Sequence, residues 1–215
     1  MSRVSRVKDE RLQRVRRAAL EAFLRHGYRK VTMDDIARAV GISRPALYLV
    51  YPNKEAVFRA VVEAGLDELI ARIERGLPDR TTAAEQLLFV FGESSVRSFE
   101  LVARAPAAAE LLHASFDFVR DLFEQHERRL AGIVARILRA AAADPGAMRP
   151  SAEARARILI AAAHGFKATA KSGRELRALF GELVELSLAP TRAPCAQDPP
   201  RRRRSASSKR GANRG

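Results

Sequence analysis

Arg44 and Tyr48 stand four residues apart in the stretch GISRPALYLVYPNK, 41–54, and so do Pro45 and Leu49. On a helix that spacing lines all four along one side. Ile42, Leu47, Val50 and Tyr51 share the other side, since 47, 50 and 51 follow i, i+3, i+4. The outward set is suited to recognising nucleic acid. A guanidinium near the start of a helix can grip guanine O6 and N7 together, and Ala46 and Leu49 can meet a thymine methyl. The Tyr48 hydroxyl can reach a phosphate oxygen. Ser43, the expected N-cap, stands with Arg44, Pro45 and Ala46 at the leading edge of that helix. Lys54 opens the next helix, where an ammonium beside unpaired backbone N–H groups makes an anion site. Thr32 and the N–H groups after it make a second. Each residue also has a plainer use: Thr32 and Ser43 as caps alone, Tyr48 as a half-buried core ring, Arg44 and Leu49 as ordinary surface residues.

Other chemistry is absent from the sequence pattern. There is no glycine-rich phosphate loop, no HExxH, no nucleophile elbow and no clustered acid pair, so catalysis is not expected. The single cysteine, Cys195, permits no disulfide within the chain and no cysteine zinc site. His113, His126 and His164 share no metal-ligand spacing, so neither a metal nor a cofactor is expected. The N-terminal run MSRVSRVKDERLQRVRR has no apolar core of a secretory signal. The longest fully apolar run, ILIAAA at 158–163, is far short of the ~20 residues needed to span a bilayer. A cytoplasmic protein with no membrane partner is the expectation.

A helix holding Arg44 and Tyr48 between Ser43 and Pro52 has barely two turns, too few to be stable alone in water. It must lean on neighbours. The spacing predicts an amphipathic helix over 9–26, with Leu12, Val15, Ala19 and Phe23 along one stripe and Arg11, Arg14, Arg17 and Arg25 mostly elsewhere. Gly27 ends it. Thr32 and Asp35 stand at capping-box spacing before a short helix ending at Gly41. Pro45 is tolerated in a first turn, and Pro52 disfavours the α conformation at Tyr51. Two short helices joined by a glycine turn form a helix-turn-helix. The second would be free to enter a major groove. A longer helix follows from Lys54 to Gly76. Further helical patterns run over about 81–103, 106–113, 115–143, 151–171 and 173–188. The fold class is all-α.

Charge is concentrated at the two ends. Residues 1–55 hold 13 Lys and Arg against 6 Asp and Glu, a net of +7. Residues 56–190 hold 18 of each, and 191–215 hold 8 against 1, again +7. Basic ends on a neutral body favour a polyanion partner, nucleic acid first. The segment 191–215 is rich in proline, arginine, serine and glycine, and is expected to be a disordered basic tail. A sequence-indifferent DNA-packaging protein using its basic ends is the competing reading of this charge.

The run A22-F23…G27-Y28…V31-T32-M33-D34-D35-I36-A37…V40-G41-I42-S43-R44-P45-A46-L47-Y48-L49-V50-Y51-P52-N53-K54-E55 closely resembles the N-terminal DNA-binding domain of the TetR family of bacterial transcriptional regulators. The family usually has Phe where Tyr51 stands, and often His or Tyr at Leu49 and Val50. The resemblance covers roughly residues 10–58. It implies an N-terminal three-helix helix-turn-helix domain, 1–55, followed by a larger helical effector-binding and dimerisation domain, 56–190. It further implies a dimeric repressor that binds double-stranded DNA at a palindromic operator and is released by a small-molecule effector.

The body sequence accommodates those roles. Segment 151–171 is rich in small residues, alanines with Gly165, and 173–188 offers Leu176, Leu179, Phe180, Leu183, Val184 and Leu186. A homodimer through these two helices is the expectation, although the alanines also read as helix propensity alone. Phe89, Phe99, Phe116 and Phe123, with His113 and His164, are the candidate contacts to a mostly apolar effector. Each of those aromatics also reads as plain core.

Overall fold

The computed structural model describes residues 3–112, 116–142 and 150–189. The tail 191–215 and His113 lie outside the described residues. Every regular element among the described residues is helical: α1 (Arg3–His26), α2 (Met33–Val40), α3 (Arg44–Tyr48), α4 (Lys54–Gly76), α5 (Ala83–Phe91), α6 (Arg97–Arg104), α7 (Ala109–Leu112), α8 (Arg120–Ala141), α9 (Ala152–Thr169) and α10 (Gly173–Leu188).

Most of the boundaries follow from local chemistry. Thr32, Ser43, Asn53, Thr82, Ser151 and Ser172 each accept a backbone N–H of the helix that follows. Gly27 and Gly41 take φ of 80° and 74°, the left-handed conformation that lets the chain leave α1 and α2. The expected helix over 81–103 is interrupted. A π turn at Gly92–Val96 joins α5 to α6. Around it serine hydroxyls compete for the backbone: Ser94 donates to the Val90 carbonyl at 2.7 Å and Ser98 to that of Ser95 at 2.9 Å. The helix expected over 115–143 opens as a 3-10 turn, Asp117–Val119, before α8.

Two apolar cores share α4. The first joins Val15, Ala19 and Phe23 of α1 with Ile36, Leu47, Val57 and Phe58, and takes in Leu111, Val119 and Leu122 from later in the chain. The second joins Ile70 and Ile73 with α5, α8, α9 and α10. The helix α4 therefore runs from the head core into the body core. Rings seal the joint. Phe58 lies 5.2 Å from Phe23, 4.7 Å from Tyr28 and 5.5 Å from Phe116, centroid to centroid. Arg59 ties α4 to the start of α8 by donating to the Phe118 carbonyl at 2.6 Å and to the Asp121 carboxylate.

The last two helices divide their side chains differently from the expectation. Leu176, Phe180 and Val184 point into the chain's own core, where Phe180 stacks on Phe91 at 4.8 Å. Ala152, Ala156 and Ala163 are buried there too, small enough to let α9 lie close to α8. The large apolar side chains that α9 and α10 leave exposed are Ile158, 59%, and Leu186, 75%, and the small residues Ala161 and Gly165 are exposed as well.

One buried polar side chain lies at the seam of the cores. On α8, His126 is one turn from Leu122 of the head core and one turn from Leu130 of the body core. Its Nδ1 is enclosed and has no hydrogen-bond partner. Burial, then the charges of Arg129 and Lys167, lower its pKa from 6.5 to about 4, against the pull of Asp67. The unfolded chain therefore takes up this proton first. Stability is fully retained above pH 6.5 and is expected to fall between pH 6.5 and about 4, by on the order of 3 kcal/mol for this group. Denaturation midpoints measured across that range check this, and His126→Leu should flatten the slope.

Candidate nucleic-acid interface

The short helix α3 is built from below. Leu47 is fully buried and Tyr51 nearly so, while Val40, Ile42 and Val50 pack against the same head core. The α2–α3 turn is closed by Gly41 N–H to the Arg38 carbonyl at 3.1 Å and Ile42 N–H to that of Ala37 at 3.0 Å. Pro45 sits in the first turn of α3, and Ser43 caps it through the Ala46 N–H at 3.3 Å. Fixing this inner side leaves the other side free. Leu49 is 87% exposed, and Arg44, Tyr48, Ser43 and Pro45 are exposed with it. Ala46 is half-buried at the edge of this surface.

Arg44 and Tyr48 are held as a unit. Arg44 Nη2 lies 3.4 Å from the Tyr48 hydroxyl, and its guanidinium carbon is 5.5 Å from the ring centre. Arg44 Nη1 donates to Asp34 Oδ2 at 3.2 Å across the helix-turn-helix. That ion pair is exposed on both sides, so it positions the guanidinium at little energetic cost to release.

Thr32 and Asp35 form a closed capping box. The Thr32 N–H donates to Asp35 Oδ2 at 3.0 Å, the Thr32 hydroxyl to the same oxygen at 2.7 Å, and the Asp35 N–H to Thr32 Oγ1 at 3.2 Å. These bonds, the hydroxyl first, hold the Asp35 carboxyl below its usual pKa. The amide of Thr32 is thus committed within the protein. Lys54 is committed as well. Its Nζ donates to the Tyr28 carbonyl at 2.8 Å and to that of Arg29 at 3.4 Å, and lies 4.3 Å from the Tyr28 ring centre. It braces the α1–α2 turn from the start of α4. From the other flank Glu110 of α7 accepts the Tyr28 N–H.

The structure does not gather the expected effector contacts into one cavity. Phe116 and Phe123 pack on the head core, because the 3-10 turn before α8 folds back onto α4. Phe89 and Phe99 pack on the body core. The Arg80 guanidinium covers the face of Phe89 at 3.7 Å, and Phe89 occupies the space a side chain at Gly76 would need. His164 is exposed, 3.5 Å from Glu127. Phe89 also borders an open groove with Arg80, Glu85 and Leu88. Among the described residues no His, Cys, Asp and Glu side chains cluster to hold a metal, and no helix is long and apolar enough to cross a membrane.

Two contributors escaped the pattern reading. Asp34 faces Arg44 across ten residues of sequence, a pairing that helical spacing does not report. Arg11, whose Nη2 donates to the Ala46 carbonyl at 2.9 Å, carries a signal: it stands four residues before Val15 and eight before Ala19, on a stripe that is otherwise apolar.

Residues 15–61 match the family model described as bacterial regulatory proteins, tetR family. The chain is 31% identical over 101 residues to the transcriptional activator FasR of Mycolicibacterium smegmatis, covering 44% of this chain and 46% of that protein. It is 37% identical over 59 residues to the transcriptional repressor ComR of Escherichia coli, covering 27% and 28%. The chain thus spans less than half the length of either relative. Among solved structures, a tetR-family transcriptional regulator from Streptomyces coelicolor superposes with a TM-score of 0.62 at 25% identity, covering 83% of this chain and 79% of that one.

Proposed function

This chain belongs to the TetR family of bacterial regulatory proteins, and from that premise we propose that it is a sequence-specific transcriptional regulator that binds DNA as a homodimer. The observation that carries the reading is α3: five residues, buttressed on one side, presenting Arg44, Tyr48 and Leu49 on the other. Such a rod fits a major groove, where a guanidinium beside a phenol and a branched apolar tip can tell base pairs apart. Its place of action would be the bacterial cytosol, where the DNA is.

The exposed apolar residues Ile158 and Leu186, beside Ala161 and Gly165, suit a twofold contact through α9 and α10. Two reading heads would then face half-sites about one DNA turn apart, roughly 10 base pairs. The effector, on this reading, is a mostly apolar small molecule bound in the helical body. It acts by linkage: the form of the dimer that it favours spaces the heads wrongly, and operator affinity falls by the difference. The lever is α4, which spans both cores and is tied to α8 through Arg59. Repression is the direction this mechanism implies; the relatives include an activator and a repressor.

The test is selection of genomic fragments by the purified chain, with sedimentation at micromolar concentration alongside. A shared palindrome and a dimeric mass are expected. A monomer would refute the pairing, and fragments sharing no sequence would refute the specificity. An effector that binds tightly yet leaves operator affinity unchanged would refute the linkage.

A further inference from the structure

The backbone ladder of α3 skips one carbonyl. The Leu49 N–H bonds to Pro45, while the N–H groups of Val50 and Tyr51 both bond to Leu47. Ala46, in the middle of the reading helix, is left without a backbone donor because the last turn tightens. Arg11 fills the gap: its Nη2 donates to the Ala46 carbonyl at 2.9 Å across 35 residues of sequence. This guanidinium is not a solvated surface group. It is half-buried, and its Nε is enclosed with no partner. An enclosed, unpaired N–H carries a desolvation cost, tolerated here because the same side chain makes a charge-assisted bond to the carbonyl end of a helix.

We propose that Arg11 is a positioning residue for base recognition: its bond to the Ala46 carbonyl sets how far, and at what angle, α3 projects Arg44, Tyr48 and Leu49. The claim rests on the DNA-reading role of α3. The physical reason is the shortness of α3. Leu47 anchors its inner side, but a five-residue helix has too few buried side chains to fix its tilt about that anchor. A rigid, planar donor from α1 supplies the second point of attachment. Phosphate contacts tolerate a small tilt, whereas paired hydrogen bonds to a base edge do not.

The experiment compares full-length wild type, Arg11→Met and Arg11→Lys on two duplexes at matched salt: a fragment selected from the genome by the wild-type chain, and a scrambled duplex of equal length. Arg11→Met is expected to lower the ratio of the two affinities by about tenfold, leaving the scrambled affinity and the salt slope unchanged. Arg11→Lys, which keeps one charged donor, should recover part of that ratio. An unchanged ratio in Arg11→Met, or equal loss on both duplexes, would overturn the proposal. If Arg11→Met does not fold, the wild-type protein decides. Slow rotation of the Arg11 guanidinium by nitrogen NMR is expected, and freely averaging Nη protons would overturn the proposal. A wild-type chain that binds both duplexes alike would instead sink the DNA-reading role itself, and this inference with it.

Discussion

Phe58→Ala is expected to destabilise the protein by about 3–5 kcal/mol, the range for emptying a buried aromatic site. Phe58 has no exposed surface, and its ring contacts four others: Phe23, Tyr28, Phe116 and Phe118. All four of these contacts are edge-to-face, a geometry that adds to area burial. The site cannot collapse easily, because its walls come from α1, α4 and the turn before α8, each anchored elsewhere. The Glu110–Tyr28 and Arg59–Asp121 ties hold two of those walls in place. For a chain of this size the melting temperature should fall by roughly 10 °C. Leu49→Ala, at an exposed position, should stay within about 0.5 kcal/mol of wild type and serves as the control. Chemical and thermal denaturation of the two variants check the pair. A loss under about 1 kcal/mol for Phe58→Ala would mean that the aromatic joint does not hold head to body.

Arg44→Ala is expected to do the reverse, sparing stability and removing discrimination. Its ion pair with Asp34 is solvent-exposed on both sides, so the melt should barely move. The cost should appear at one base pair per half-site, as about 1–3 kcal/mol of lost preference. Affinities for a set of duplexes carrying single base changes in the selected site measure it. Were Arg44 only a phosphate contact, the variant would weaken every duplex alike and lower the salt slope by about one. The two outcomes are distinct.

The capping residues and turn glycines made the head legible in the sequence. Thr32 with Asp35, Ser43 with Pro45, and Gly41 dictate where α2 and α3 begin and end, and those signals are local. The inner face of α3 was legible for the same reason, since i, i+3, i+4 spacing reports which side is buried. Periodicity does not report which neighbour buries it. Phe116 and Phe123 therefore read as body residues, although the fold returns them to the head. Lys54 read as an open cation because its carbonyl partners, Tyr28 and Arg29, lie 26 and 25 residues earlier. The π turn at Gly92–Val96 depends on serine hydroxyls turning back on the helix, a choice that composition does not fix. On α10, Leu176, Phe180 and Val184 face the chain's own core, and only contacts with α5 and α9 decide that.

The central claim, that α3 reads base sequence, meets its most direct test in a titration of the wild-type chain. A genome-selected duplex and a scrambled duplex of the same length are compared at several matched salt concentrations. Base reading by Arg44, Tyr48 and Leu49 requires the selected duplex to bind tighter by about a thousandfold or more at physiological salt, with a preference that persists as salt rises. Equal affinities falling together with salt would contradict it and leave a basic protein that coats DNA without reading it.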